Sequence, residues 1–308
     1  MQKFALCVNN PEDIQKAVAG ELETIGFTMV DRAICELPEN EYHQVIPYVV
    51  FYSVHPEEGR VEILQYLRAS KTPEGEDVTE KRLAGSSSVG FGGHIDNEDD
   101  IVFTSKSVNK KGEVTYELTV DQVVETVSKT GYREVDEELG YNVREVVPYE
   151  ILPESLLFFK GKEQNDVNKV HLAFGCLVGL EEDQFTLLKE SAKPEPSEIE
   201  QLGILGINYG DILSSFNVNQ EVAKITDELS NNNALEDWSC VMVETITLGL
   251  CQRVSLSLDW KSILEAHVSR MEFLKQEYEK EQQELLEETV TETEVTEAVV
   301  EDEKGFQA

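Results

Sequence analysis

Long hydrophobic runs are missing from this 308-residue chain: no apolar stretch reaches the roughly 20 residues that a membrane-spanning helix needs. Met1-Gln2-Lys3-Phe4 does not begin a secretory signal pattern either, so a soluble, cytoplasmic protein is expected, with no membrane partner. Cysteine is scarce and scattered. Cys7, Cys35, Cys176, Cys240 and Cys251 form no CxxC pair, which argues against a zinc site and against a disulfide framework. The five histidines, His43, His55, His94, His171 and His267, are equally dispersed and suggest no histidine metal centre. Positive charge is short as well: 26 Lys and Arg face 61 Asp and Glu, a net charge of −35. Duplex nucleic acid is therefore not an expected partner, because its affinity comes from Lys and Arg neutralising phosphates. Met271 to Ala308 holds 13 acidic residues against three lysines, yet most of the negative charge belongs to the first 270 residues. A small phosphorylated substrate would meet an acidic body, a repulsion that bound cations relieve.

What is present suffices for a core, since 40% of the residues are hydrophobic. Residues 1–40 read as a small βα element, with a strand over Lys3 to Val8 and a helix over Pro11 to Ile25, Asn10 as its N-cap and Gly26 just past its end. Residues 41–258 form the body. Val45 to Tyr52 and Val61 to Arg68 pattern as paired strands across the Pro56-to-Gly59 turn, and Lys71 to Ser88 reads as a mobile polar loop. Ile101 to Thr104 and Glu113 to Val120, flanking the turn signal Asn109-Lys110-Lys111-Gly112, predict a β-hairpin. Val143 to Val147, Ser155 to Lys160 and Lys169 to Val178 are further strand candidates, the last apolar enough to be central; Leu202 to Ile207 is a late strand. The segment from Leu235 has helical spacing, with Trp238 read as a core residue. Residues 259–288 predict an amphipathic helix able to dock on the body, meet a partner protein or self-associate; residues 289–308 predict a disordered acidic tail. There is no internal repeat.

One string carries chemistry: Arg133-Glu134-Val135-Asp136-Glu137-Glu138-Leu139-Gly140-Tyr141. On a helix, Glu134 stands three and four residues before Glu137 and Glu138, so the three carboxylates share one face. Like charges at these spacings destabilise a helix by a few tenths of a kcal/mol per pair. A hard divalent cation, which takes oxygen ligands and keeps waters and substrate phosphates in its shell, offsets that repulsion. Arg133 can orient a carboxylate, and Gly140 falls where a helix ends in a left-handed cap. A solvated acidic helix face is the bland alternative.

Arg-Glu-apolar-x-Glu-Glu-x-Gly-apolar resembles the core of the Nudix box. Glu125 lies seven intervening residues before Arg133, as that family's pattern asks, whereas position 119, where its glycine should fall, is Thr119. Gly92-Gly93-His94-Ile95-Asp96 resembles the family's glycine segment, with Gly93 as the box glycine, leaving 31 residues where the pattern has five. The predicted hairpin fills that surplus; because closure entropy grows only logarithmically with loop length, a box so interrupted survives. Ile46-Pro47-Tyr48-Val49-Val50 together with Ser88-Val89-Gly90-Phe91-Gly92-Gly93-His94-Ile95 also resembles a branch of predicted MutT-type phosphoesterases, over roughly residues 41 to 250.

The resemblance implies an α/β fold, a Nudix-like α/β/α sandwich with a mixed sheet, to which the residue patterns above add the inserted β-hairpin, the C-terminal helix and the acidic tail. It implies hydrolysis of a pyrophosphate bond in a nucleoside diphosphate linked to another group, with Mg²⁺ or Mn²⁺ as cofactor. Glu134, Glu137 and Glu138 would hold the metal, with Glu125 at a second metal or a bound water. Arg133 would orient a carboxylate, and Gly93 would allow close approach to the helix. Glu134, Glu138 and Glu198 compete as general base, and Glu195 and Glu200 rival Glu198 as the late carboxylate. Arg68 either faces substrate or makes a structural salt bridge; His94 either contacts substrate or packs locally. Two other classes stay open: a non-catalytic nucleotide-binding domain regulating a partner, and an interaction protein working through its acidic tail.

Overall fold

A computed structural model describes residues 3–71, 84–110, 112–151, 156–159, 166–196, 198–215, 217–231 and 235–257. The chain divides into two compact units, Met1–Cys251 and Gln252–Ala308, and the first carries the sheet. The expected amphipathic helix, the acidic tail and most of the loop after Lys71 lie outside the described residues.

Ten strands alternate with nine helices among the described residues. In order they are β1 (Phe4–Val8), α1 (Glu12–Val18), β2 (Ile25–Asp31), α2 (Arg32–Cys35), β3 (His43–His55), β4 (Arg60–Arg68), β5 (Ser87–Ser88), β6 (Ser105–Val108) and β7 (Val114–Leu118). Then come α3 (Val120–Leu139), α4 (Val143–Val146), β8 (Leu156–Phe159), α5 (Asp166–Val170), β9 (His171–Gly179), α6 (Glu182–Ser191), β10 (Ile199–Asn208), α7 (Tyr209–Leu213), α8 (Val218–Asn231) and α9 (Asp237–Ser257).

The sheet is mixed. β3 runs parallel to β9 from Gln44↔His171 to Tyr52↔Gly179, and every other strand pairing is antiparallel. β9 lies between β3 and β8, as its apolar run requires of a strand buried on both faces. On its other edge β3 forks: it pairs with β1 at Gln44 and His43, and with β4 from Tyr52 to His55. The glycine segment crosses that fork. Ser88 pairs with Tyr66 of β4, Phe91 exchanges two 2.8 Å backbone hydrogen bonds with Val49 of β3, and Leu6 of β1 donates to the Ile95 carbonyl at 2.9 Å. Neither Gly90 nor Gly92 has room for a side chain, since a Cβ on Gly92 would lie 1.9 Å from the Pro47 carbonyl oxygen and one on Gly90 2.1 Å from the Tyr48 ring.

Helices cover both faces of β3 and β9. A Cβ on Gly131 of α3 would touch Val49 at 3.0 Å, and a Cβ on Gly175 of β9 would lie 2.6 Å from the thioether of Met242 on α9. Tyr48, the cross-strand partner of Gly175, points to the opposite face from its neighbour Val49. Packing of α3 buries Val123, Val127, Val135 and Leu139 together with Val49, Phe51, Phe91 and Ile95 in one core.

The predicted hairpin exists, with Val108 facing Val114 across the expected turn, but its first strand is Ser105–Val108; Ile101 to Thr104 instead follows a 3₁₀ turn over Glu98–Asp100. The hairpin is also part of the main sheet, because β7 pairs with β2 from Ile25↔Leu118 to Met29↔Val114. Three expectations near it are corrected. The first helix stops at Val18, where Gly20 takes a positive φ of 76°, and Gly26 lies inside β2. Asn10 sits one position outside the N-cap, which is Pro11, though its Oδ1 still accepts from the Glu12 N–H at 3.2 Å. Val143 to Val146 is a short helix, because Asp136 Oδ1 accepts the Val143 N–H at 2.8 Å and ties the segment back to α3. No helix among the described residues is long and apolar enough to cross a membrane.

Candidate active site

The carboxylate helix is well specified at both ends. Thr119 opens α3 with a capping box: its Oγ1 accepts the Gln122 N–H at 3.3 Å, and Gln122 Oε1 accepts the Thr119 N–H at 3.0 Å. Gly140 closes it at φ 73°, with the Gly140 and Tyr141 N–H groups donating to the Asp136 carbonyl. A Cβ on Gly140 would lie 2.0 Å from the Lys193 carbonyl oxygen, so the loop before β10 packs directly on this helix end.

The glycine segment meets α3 where the chemistry was expected. A Cβ on Gly93 would stand 2.2 Å from Glu134 Oε2 and 2.6 Å from its carboxyl carbon, so only glycine lets the carboxylate lie against the backbone there. One turn on, Glu138 Oε1 accepts the Gly92 N–H at 3.5 Å, while Oε2 is buried without a hydrogen-bond partner among the described residues. Arg133 is the hub between the segments. Nε donates to Asp100 at 3.0 Å, and Nη1 pairs with Glu134 at 2.8 Å and with Glu137 at 3.3 Å. Nη2 reaches the His94 carbonyl at 3.3 Å and Asp96 at 3.2 Å.

The electrostatics follow from burial. Burial pushes the Glu134 carboxyl up to about 7; Arg133 works against that rise, and the charges of Glu137 and Asp96 add to it. Burial pushes Glu138 further, to about 8, opposed by Arg68 and the Gly92 N–H and reinforced by Glu134 and Glu198. Glu137, with its side chain 60% exposed, stands at the solvent edge. The structure therefore brings together Glu134, Glu138, Arg133, Gly93 and Arg68, with Glu137 at the rim and the charge of exposed Glu198 felt at Glu138.

Two sequence-predicted residues stand elsewhere. Glu125 is nine residues before Glu134 on one continuous helix, a rotation of about 900°, which places it on the opposite face. Its side chain is 55% exposed and pairs with Lys129 at 3.2 Å, so it does not join the group as a metal ligand. The His94 ring packs against the His171 ring at 5.7 Å, and burial, reinforced by Arg32, His171 and Lys3, lowers it to about 3. His94 joins the group through its carbonyl alone. Asp96 and Asp100 were missed as members. Asp96 carried a signal, as the acid ending the glycine segment; Asp100 sits in an acidic run, Glu98-Asp99-Asp100, that reads as a solvated turn. Trp238 is half-buried, edge-on to Tyr48, Phe159 and His171, and its Nε1 donates to Asn168 at 2.7 Å.

The donor set suits a hard cation, being all oxygen, and it includes Glu138 Oε2, which has no hydrogen-bond partner among the described residues. It is not a complete shell, because no three His, Cys, Asp or Glu side chains converge as ligands among the described residues. Two carboxylates completed by water and substrate oxygens are the usual manner of Mg²⁺. An open cavity of about 690 Å³ lined by Tyr132, Asp136, Asn142, Arg144 and Tyr149 shares no residue with this group. The site is thus assigned on chemistry and not on volume.

No family model matches the chain, and no curated protein matches it. Solved structures similar to it include Tm1382, described as a Nudix hydrolase, at 18% identity over 80% of this chain and 98% of that one, with a TM-score of 0.36. A mutT/nudix family protein from Listeria innocua follows at 13% identity, 69% and 97% coverage and a TM-score of 0.35. A MutT/nudix family protein from Enterococcus faecalis gives 14% identity, 55% and 46% coverage and 0.28. Likenesses at these scores carry no argument about the site.

Proposed function

We propose that this protein is a Nudix-type hydrolase that cleaves a pyrophosphate bond in a nucleoside diphosphate linked to another group, dependent on Mg²⁺ or Mn²⁺. One observation carries the reading: Glu134 and Glu138, one turn apart on α3, lie half-buried against Gly93 and Gly92, where an added Cβ would collide, and one oxygen of Glu138 is buried without a partner among the described residues. Burying two like charges together is costly unless a cation joins them. Glu134 and Glu138 would hold it, with Glu137 at the rim. Bound there, the cation would neutralise pyrophosphate oxygens and acidify water.

The protein's own groups do the rest. Arg133, pinned by Asp96 and Asp100, fixes the Glu134 carboxylate against Gly93. Arg68 brings positive charge beside Glu138. Glu198 supplies a solvent-exposed carboxylate able to take a proton from water attacking phosphorus, as the phosphoanhydride oxygen leaves. The test is nucleotide or phosphate release with Mg²⁺ across nucleoside triphosphates, ADP-ribose, dinucleoside polyphosphates and nucleotide sugars, beside Glu134→Gln and Glu138→Gln. Turnover confined to the unmutated protein is expected; equal turnover in all three removes the site.

A second reading has one observation in its favour. Because no three ligands converge and Arg133 engages both Glu134 and Glu137, a nucleotide-binding domain without turnover also suits the geometry. Binding of a substrate in the panel with no product from the unmutated protein selects that reading.

A further inference from the structure

Another carboxylate lies beside Arg68. Glu236, just before α9, is 8% exposed in its side chain, and its Oε1 accepts three hydroxyls: Tyr48 Oη at 2.6 Å, Ser88 Oγ at 2.5 Å and Ser239 Oγ at 3.4 Å. The donors are themselves linked, Tyr48 Oη lying 2.9 Å from Ser88 Oγ and 2.8 Å from Ser239 Oγ, and Ser239 Oγ accepts the Val89 N–H at 2.9 Å. The Glu236 N–H closes the arrangement on the Ser87 carbonyl at 3.0 Å. Three separate segments, β3, the β5 strand and the start of α9, thus combine to hold one carboxyl group in place.

Its other oxygen faces Arg68, the last residue of β4. Arg68 Nε lies 3.5 Å from Glu236 Oε2, an ion pair without hydrogen-bond geometry, and the guanidinium sits 5.3 Å over the Tyr66 ring. Its buried Nε has no hydrogen-bond partner among the described residues, and the side chain is 25% exposed. A guanidinium has five N–H donors in a fork that matches phosphate oxygens. Here Glu236 and the Tyr66 ring hold the guanidinium in place, and its charge is felt at Glu138.

We infer that Glu236 is a positioning residue: the Tyr48–Ser88–Ser239 hydroxyl cluster fixes Glu236 so that it aims the Arg68 guanidinium at a phosphoryl oxygen of the substrate held beside Glu138. This rests on the proposed hydrolase reading for its substrate, and on geometry alone for its phosphate recognition. It also gives Tyr48 and Ser88 a joint purpose, since each belongs to one of the two motifs that flank the crossing.

A double-mutant cycle read by binding and by turnover tests it. Inorganic pyrophosphate with Mg²⁺ is titrated calorimetrically into the unmutated protein, Arg68→Ala, Glu236→Gln and the double variant, and kcat and KM are measured for whichever substrate of the panel turns over. Glu236→Gln is expected to weaken pyrophosphate binding about tenfold and to raise KM more than it lowers kcat, whereas in the Arg68→Ala background it adds less than about twofold. Additive losses, or unchanged pyrophosphate binding in Glu236→Gln with only a lowered melting temperature, overturn the inference. Should Glu236→Gln fail to fold, Tyr48→Phe, which removes the hydroxyl and keeps the ring, carries the same cycle with a smaller expected loss. Pyrophosphate binding that follows the cycle without turnover of any substrate supports the inference while rejecting the hydrolase.

Discussion

At the scale of single residues the account rests on two carboxyls raised by burial, and their sign fixes a pH dependence. A folded acid raised to about 7 or 8 keeps its proton above the pH at which the unfolded chain loses it, so without metal these groups cost stability as pH climbs from about 4.5 through 8. Glu138→Gln, which cannot ionise, is expected to melt close to the unmutated protein at pH 5 and several degrees higher at pH 8.5 in EDTA, while losing the stabilisation that Mg²⁺ gives. Thermal melts at both pH values check this; a lower melting temperature for the variant at pH 8.5 would contradict it. Gly93→Ala should drive the Glu134 carboxylate off its seat, given the 2.2 Å approach, destabilising by about 1–3 kcal/mol and reducing turnover about a hundredfold. Glu134, Glu138 and Gly93 were legible in the sequence because helical spacing and a glycine pair are local patterns. Glu125 matched a motif spacing, but nine residues along one continuous helix carry it to the opposite face from Glu134, and Glu236 carried no such pattern, since its Tyr48 and Ser88 partners lie on β3 and β5 far away in the chain.

At the scale of elements, α3 is the part whose sequence states its own limits. Thr119 and Gln122 start it, and Gly140 stops it against the Lys193 carbonyl. Gly140→Ala combines a left-handed backbone with a 2.0 Å clash, so it should cost more stability than Gly112→Ala, whose φ of 84° is equally left-handed but whose Cβ would meet nothing within 4 Å. For Gly112→Ala alone the cost is about 1–2 kcal/mol; chemical denaturation of the two variants ranks them, and equal losses would remove the packing role of Lys193. Strands β3, β4 and β9 were legible from continuous or alternating apolar runs, and the hairpin from its turn residues. β2 was not, because Ile25–Asp31 mixes Gly26 and Thr28 into a short run whose strand character comes from pairing with β1 on one side and β7 on the other. Val143–Val146 reads as a β-branched strand and is a helix, since one hydrogen bond from the Val143 N–H to Asp136 decides its direction.

At the scale of the whole molecule, a chain of net charge −35 carries a site proposed for an anionic substrate. Removing residues 289–308, which carry several of those acids and lie outside the described structure, is expected to leave turnover at saturating Mg²⁺ unchanged; a large loss would make the tail part of the site. Association with an anionic substrate should rise with ionic strength, as screening weakens repulsion from the acidic body. The central claim is that one divalent cation sits on Glu134 and Glu138. Its most direct test is a Mn²⁺ titration followed by electron paramagnetic resonance at pH 8.5 and moderate salt, in the unmutated protein and in the Glu134→Gln/Glu138→Gln double variant. The account predicts a tight site of unit stoichiometry in the first and its loss in the second; identical titrations of the two proteins would contradict it.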